Sequence, residues 1–340
     1  MPAEKLFYRE GIVLALREAM AADRRVFVMG QDAGAFGGAY REFDGLHAAF
    51  GAERVRDTPV AEAAMLGIGL GAAAAGMRPV VSVTYMDFLM LALDPLVNYG
   101  AKLRFKTAGR LTAPIVVMVT AGAKGQGVAH SQCIEAWLMG VPGLKIVAPA
   151  TPQDAYGLMR AAIADDGPVL FATHKKLFPV AGDVTGARVP IGAANIIRAG
   201  TDVTLVTHSY LTRVARDAAE LLIHEGISCE IIDLRSLCPL DIGLVAASAA
   251  RTGRLLTLEE GQLACGVGAE IAARVQAVTG PLPVHRVGPR AAPVSSNPVL
   301  EAACIPDATR VAAETRRFVL NGKCGGWRND LQAGRAGIVG

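Results

Sequence analysis

Glu62 is the residue whose setting first asks for chemistry. It lies in DTPVAEAAMLGIG (57–69), in the first turn of a helical stretch that is otherwise apolar. The helix dipole favours a carboxylate there by ~0.3–1 kcal/mol, and that alone would account for it. The same setting also suits a carboxyl held in a dry pocket, where it can exchange a proton with a ligand. His130 follows a glycine loop, GAKGQG (122–127), and is expected to open a helix containing Glu135 and Trp137. A histidine at that place is either a structural hydrogen-bonder or an acid/base group. Phe88, in MDFLM (86–90), reads either as core or as an aromatic wall of a site. The glycine loop is neither GxGxxG nor a Walker loop. The sequence has no HExxH, no EF-hand loop and no GxSxG elbow.

Alternating apolar strands and helical patterns must position these groups. Residues 25–29 read as a buried strand after a helix carrying Ile12, Leu16, Ala19 and Met20 at helical spacing. Thr58-Pro59 reads as a helix start, and the helix that follows ends near Gly76. Further strands are expected at 79–84, 114–120, 144–148 and 168–173. Apolar strands separated by helices mean an α/β protein with a mostly parallel sheet covered on both faces. Ligands of such sheets sit at the carboxyl ends of the strands. Residues 180–194 read as a linker to a second, smaller α/β unit with strands at 201–208, 228–234, 254–258 and 283–287. Its first helix places Leu211, Val214, Ala218, Leu221 and Leu222 on one face. The last helix covers 308–320, and a glycine-rich tail follows. The expected domains are therefore 1–185 and 186–322, with a tail at 323–340.

Composition sets the outer limits. With 340 residues the chain has room for about two domains. Hydrophobic residues make up 52% and charged residues 19%, so a large core is expected and dominant disorder is excluded. The net charge of +3, without a basic block, gives no electrostatic reason for nucleic acid or an anionic membrane as partner. The longest uncharged apolar stretch, Ala63 to Met77, is too short for the ~18 residues of a membrane span. The charged start MPAEKLFYRE does not read as a signal peptide. Six cysteines without a CxxC pair read as reduced, mostly buried thiols of a cytoplasmic protein.

Several motifs fall together in one order: GGA (37–39), FGAERVRDTP (50–59), AEA (61–63), RPV (78–80), MDF (86–88), HSQ (130–132), PGLK (142–145) and HKKLF (174–178). In this the chain resembles the β subunits of the thiamine-diphosphate-dependent decarboxylating component of 2-oxoacid dehydrogenase complexes, over residues 5–320. The resemblance implies a thiamine-diphosphate-binding fold: a pyrimidine-binding domain followed by a transketolase-like C-terminal domain. It also implies that Glu62 hydrogen-bonds N1′ of the cofactor's aminopyrimidine and that Phe88 packs on that ring. His130 would face the reacting carbon. A structural monovalent cation such as K⁺ is implied at positions matching Ile115, Ala162, Ile163 and Asp165, although the last ligand position falls on Gly167.

Thiamine enzymes hold Mg²⁺ and the diphosphate through a Gly-Asp-Gly run and a later Asn. No Gly-Asp-Gly occurs in these 340 residues. The resemblance therefore implies half a site, completed by an α subunit in an α₂β₂ assembly, with a lipoyl acyltransferase or similar carrier as acceptor. Two other readings stand beside it. One is a split transketolase moving a two-carbon ketol unit, for which Lys124 is a candidate phosphate contact. The other is a non-catalytic partner that stabilises an α chain. Ala129 stands where relatives carry Gln or Tyr, which points away from a standard pyruvate pocket.

Overall fold

A computed structural model describes residues 3–321 of the chain. The tail expected at 323–340, and with it Cys324, lies outside the described residues. Two sheets carry the architecture. The larger has seven strands, in the order Ser236–Cys238, Lys145–Val147, Val169–His174, Val116–Ala121, Arg78–Tyr85, Val26–Gly30 and Val55–Asp57. Only the first of these is antiparallel to its neighbour; all other pairings are parallel. The smaller sheet has five strands: Val284–Val287, Leu255–Leu258, Val203–Thr207, Cys229–Asp233 and Asn195–Arg198, the last antiparallel.

The central strands are buried on both faces, which is why they appear in the sequence as continuous apolar runs. The helix Tyr8–Ala22 buries Ile12, Leu16 and Met20, as its spacing requires, and packs on Pro152–Ala164. The helix Glu62–Ala74 turns Met65, Leu66, Gly69, Leu70 and Ala73 inward. Gly69 is the point of closest approach: a Cβ there would lie 2.6 Å from Val81 Cγ2. The opposite face, Ala63, Ala64, Gly67, Ile68 and Gly71, is exposed although it is apolar.

Several expectations need correction. The linker expected at 180–194 begins with a strand: Ala181–Val184 pairs antiparallel with Glu4–Phe7, at the chain start. A short ribbon that buries little needs no alternating pattern, so neither strand announced itself. Strand Ser236–Cys238 comes from the second half yet joins the first sheet, and one apolar core includes Ile146 and Leu170 together with Leu237 and Val245. Thr58-Pro59 lies in the loop ahead of the helix, which starts at Glu62. Leu221 faces outward on its helix, 46% exposed. Of the five described cysteines, all free thiols, only Cys229 and Cys304 are buried. No helix among the described residues is long and apolar enough to cross a membrane.

Candidate active site at the carboxyl edge of the larger sheet

Four parallel strands end side by side at Gly30, Asp57, Tyr85 and Ala121. Each of the three singled-out residues follows one of these ends. Glu62 opens the helix after Val55–Asp57, Phe88 lies in the 3-10 turn Met86–Ala92 after Arg78–Tyr85, and His130 lies in the loop after Val116–Ala121. Parallel strands joined by crossovers all point the same way, so their following loops collect on one edge.

Glu62 is buried, 5% exposed, yet among the described residues its carboxylate accepts no hydrogen bond. The helix dipole favours a carboxylate at this place, and Ala61 at the N-cap supplies no side-chain cap. Four polar atoms at this edge, though not the Glu62 oxygens, are fully buried and unpaired: Thr58 Oγ1, Asp87 Oδ2, Tyr40 Oη and Ser131 Oγ. Such a set fits a polar heterocycle that brings its own donors and acceptors.

Phe88 and His130 meet. Their ring centres are 5.2 Å apart at 87°, and Tyr85 stands edge-on to the His130 imidazole at 4.7 Å and 89°. Each such contact contributes about 0.5–1.5 kcal/mol beyond burial and fixes the orientation of the imidazole. His130 lies in a turn rather than on a helix; the helix begins only at Glu135. Glycines at 122, 125 and 127 hold φ of 90°, 75° and 76°, which keeps this stretch out of helical geometry. The chain after His130 is pinned by Asp87 Oδ1, which accepts from the Gln132 N–H at 3.2 Å. Thr84, with φ of 61° at a register shift in its strand, re-aims Tyr85 and the turn carrying Phe88.

Residues outside the sequence expectation complete the edge. His174 Nε2 and Glu260 Oε2 pair at 3.0 Å, both side chains buried, across the two halves of the chain. The other oxygen of Glu260 accepts from the Ala123 N–H at 2.8 Å. Burial pushes the Glu260 carboxyl up, but the His174 imidazole and that amide together hold it below the usual carboxylate range. Gly122 must be glycine: a Cβ would fall 1.8 Å from His174 Nε2. Burial pulls His208 down to about 4 and pushes Glu135 up to about 7. These two line, with Ser131, Trp137, Glu260 and Pro293, a cleft of about 510 Å³ between the halves. Neither Glu62, Phe88 nor His130 lines that cleft. A polar pair contributed by two sequence-distant segments leaves no local pattern, so His174–Glu260 had no signal beyond the HKKLF run.

Two of the four positions matching a cation site, Ile163 and Asp165, meet one guanidinium. Arg78 Nη1 donates to the carbonyls of Ile163 at 2.9 Å and Asp165 at 3.0 Å, and Arg78 Nη2 pairs with Asp166 at 2.6 Å. The Asp165 carboxylate binds Lys145 and accepts from the Gly167 N–H at 2.8 Å. The Ile115 and Ala162 carbonyls accept from the Val169 and Asp165 N–H groups. Arg78 and Lys145 thus already balance Asp165 and Asp166, and Gly167 offers no side-chain oxygen. The donor set does not fit a further cation.

The chain matches the family described as "Transketolase, pyrimidine binding domain" over residues 4–180 and "Transketolase, C-terminal domain" over 192–311. It is 41% identical over 331 residues to the pyruvate dehydrogenase E1 component subunit beta-1, mitochondrial, of Arabidopsis thaliana, covering 94% of this chain and 91% of the relative. It is 39% identical to the acetoin:2,6-dichlorophenolindophenol oxidoreductase subunit beta of Cupriavidus necator, over 94% of this chain and 99% of the relative. To the 2-oxoisovalerate dehydrogenase subunit beta of Bacillus subtilis it is 41% identical, over 78% and 83%. Among solved structures, a split gene transketolase described as an inactive β4 tetramer shares the fold, with TM-score 0.78 and 24% identity over 92% of this chain and 98% of the other. Two matched domains in the expected order, and about 40% identity to dehydrogenase subunits against 24% to the transketolase, place the chain in one family: it belongs to the transketolase-like E1 β subunits of thiamine-diphosphate-dependent 2-oxoacid dehydrogenases.

Proposed function

We propose that this chain supplies the pyrimidine-side half of a thiamine diphosphate site and that, with an α subunit, it decarboxylates a 2-oxoacid and passes the acyl group to a lipoyl or comparable carrier. The observation that carries this reading is Glu62, a buried carboxylate with no partner among the described residues, set at the edge where Phe88 and His130 meet. Bound there, the cofactor would supply an electron sink for decarboxylation, held on this side by Glu62 and Phe88. Glu62 holds a proton at N1′ of the aminopyrimidine, and the apolar residues that follow it in its helix keep water from competing for that bond. Phe88 gives the pyrimidine ring an aromatic face. His130, half-buried and steadied by Tyr85 and Phe88, gives and takes a proton at the substrate oxygen. The units doing this work are the pyrimidine-binding region at 1–185 and the C-terminal region at 186–322.

Mg²⁺ and the diphosphate are held by the α chain, in an α₂β₂ assembly. The exposed apolar face of the helix that begins at Glu62 supports a partner chain lying against it. The substrate is a 2-oxoacid, and the small, exposed Ala129 beside His130 favours one bulkier than pyruvate. The reading carries a cytoplasmic compartment. Calorimetry with thiamine diphosphate and Mg²⁺ tests the half-site. The chain alone is expected to bind weakly and the α–β complex tightly; tight binding by the isolated chain would overturn the reading.

A further inference from the structure

We propose that Lys175 is a positioning residue for His130, a clasp that closes the two ends of the loop carrying it. The proposal rests on the reading of His130 as the acid/base group. The loop leaves the sheet at Gly122 and reaches His130 through three positive-φ glycines. Lys175 Nζ donates to the Gly122 carbonyl at 2.8 Å and also to the His130 carbonyl. The same ammonium lies 5.3 Å from the centre of the Tyr85 ring, which walls the His130 imidazole. One charge therefore touches the start of the loop, its end, and a ring that orients the side chain at that end.

Burying a lysine completely, as here at 0% exposure, is rare and costly. Two carbonyl acceptors and an aromatic face offset that cost. Burial holds the Lys175 pKa below the usual lysine range, and Asp87, Cys133, Glu260 and Glu301 offset part of that pull. With no exposed surface and its donors engaged, the ammonium does not reach substrate, so its action passes through His130.

The rest of the loop is held differently. Glu260 accepts from the Ala123 N–H and Glu301 from the Gly125 N–H, at 2.8 and 2.6 Å, both from the C-terminal half. Those contacts anchor the early part of the loop; beside the lysine, the His130 end is held by its ring contacts with Tyr85 and Phe88 and by Asp87 Oδ1, which accepts from the Gln132 N–H at 3.2 Å. At that end the backbone has one loop contact of its own, His130 N–H to the Gly127 carbonyl at 3.3 Å. Glycines make the unclasped loop entropically wide, so the clasp decides how often the imidazole is in place.

The test uses the α–β complex with four variants: Lys175→Met, Lys175→Arg, His130→Ala and the Lys175→Met/His130→Ala double. Lys175→Met should lower turnover at saturating 2-oxoacid by ~30-fold with KM within ~3-fold, and Lys175→Arg should recover part of the loss. Adding Lys175→Met to His130→Ala should cost less than ~3-fold, because both remove one function. In the complex without cofactor, amide hydrogen exchange at residues 123–130 should speed up by ~10-fold or more in Lys175→Met. If Lys175→Met does not fold, Lys175→Arg carries the same exchange and double-variant measurements. A full Lys175→Met penalty on top of His130→Ala, or unchanged loop exchange, overturns the clasp. A defect in His130→Ala with none in Lys175→Met overturns the clasp alone. Full turnover in His130→Ala overturns the reading of His130 and the positioning role with it.

Discussion

The two sheets end in two carboxyl edges built the same way and used differently. On the larger sheet the edge presents Glu62 without a partner and sets Phe88 against His130. On the smaller sheet the edge carries His208, Glu259 and Glu260, whose carboxylates are bonded within the protein, Glu260 through both oxygens and Glu259 through Oε1 alone, its Oε2 being buried and unpaired. Glu259 pairs with Arg286 at 3.1 Å and accepts from the Gly268 N–H, while Glu260 pairs with His174 and the Ala123 N–H. Architecture alone therefore does not locate chemistry; what separates the edges is whether a buried charge already has its counterpart. The second edge braces the loop of the first.

The largest effect should come from the unpartnered carboxylate. Glu62→Gln keeps the shape but cannot share a proton in the same way, so the α–β complex should still assemble. Deuterium exchange at the cofactor's thiazolium C2 should slow by ~100-fold or more, about 2.7 kcal/mol of barrier. An unchanged rate would return Glu62 to a helix-dipole role and erase the contrast between the edges.

Glu260→Gln sharpens the comparison from the other side. It leaves His174 without its carboxylate partner in a buried place, and we expect a loss of about 2–3 kcal/mol in stability with turnover down ~10-fold. Because the Glu260 pKa is lowered in the folded protein, its contribution is present above the unfolded carboxyl pKa and lost as pH falls through the folded value. Denaturant unfolding of the wild type and variant should converge in acid. If the gap persists there, the ion pair is not what braces the loop.

A smaller effect is expected at Glu135, in the cleft between the halves, whose carboxyl burial pushes up to about 7. A raised carboxyl pKa makes the folded state less stable as pH climbs from the unfolded value, near 4.5, through 7. Glu135→Gln should flatten that fall and gain about 2 kcal/mol at pH 8 relative to wild type. Parallel stability curves for the two proteins across that window would show that the cleft does not penalise the charge.

Sequence by itself determined the alternation of apolar strands and helices, because strands buried on both faces must be continuous runs of apolar residues. It also singled out Glu62, Phe88 and His130 as candidates, through motifs whose order resembles one family, and showed the split into two α/β units. Tertiary structure alone decided the pairings between distant segments. It paired Glu4–Phe7 with Ala181–Val184, carried Ser236–Cys238 into the first sheet, and set the Ile163 and Asp165 carbonyls on Arg78. It also brought Lys175 beneath His130 and Glu260 onto the Ala123 amide. Periodicity reports which face of an element is buried; it is silent on which polar groups meet across hundreds of residues, since a single hydrogen bond or ion pair leaves no repeating pattern in the chain.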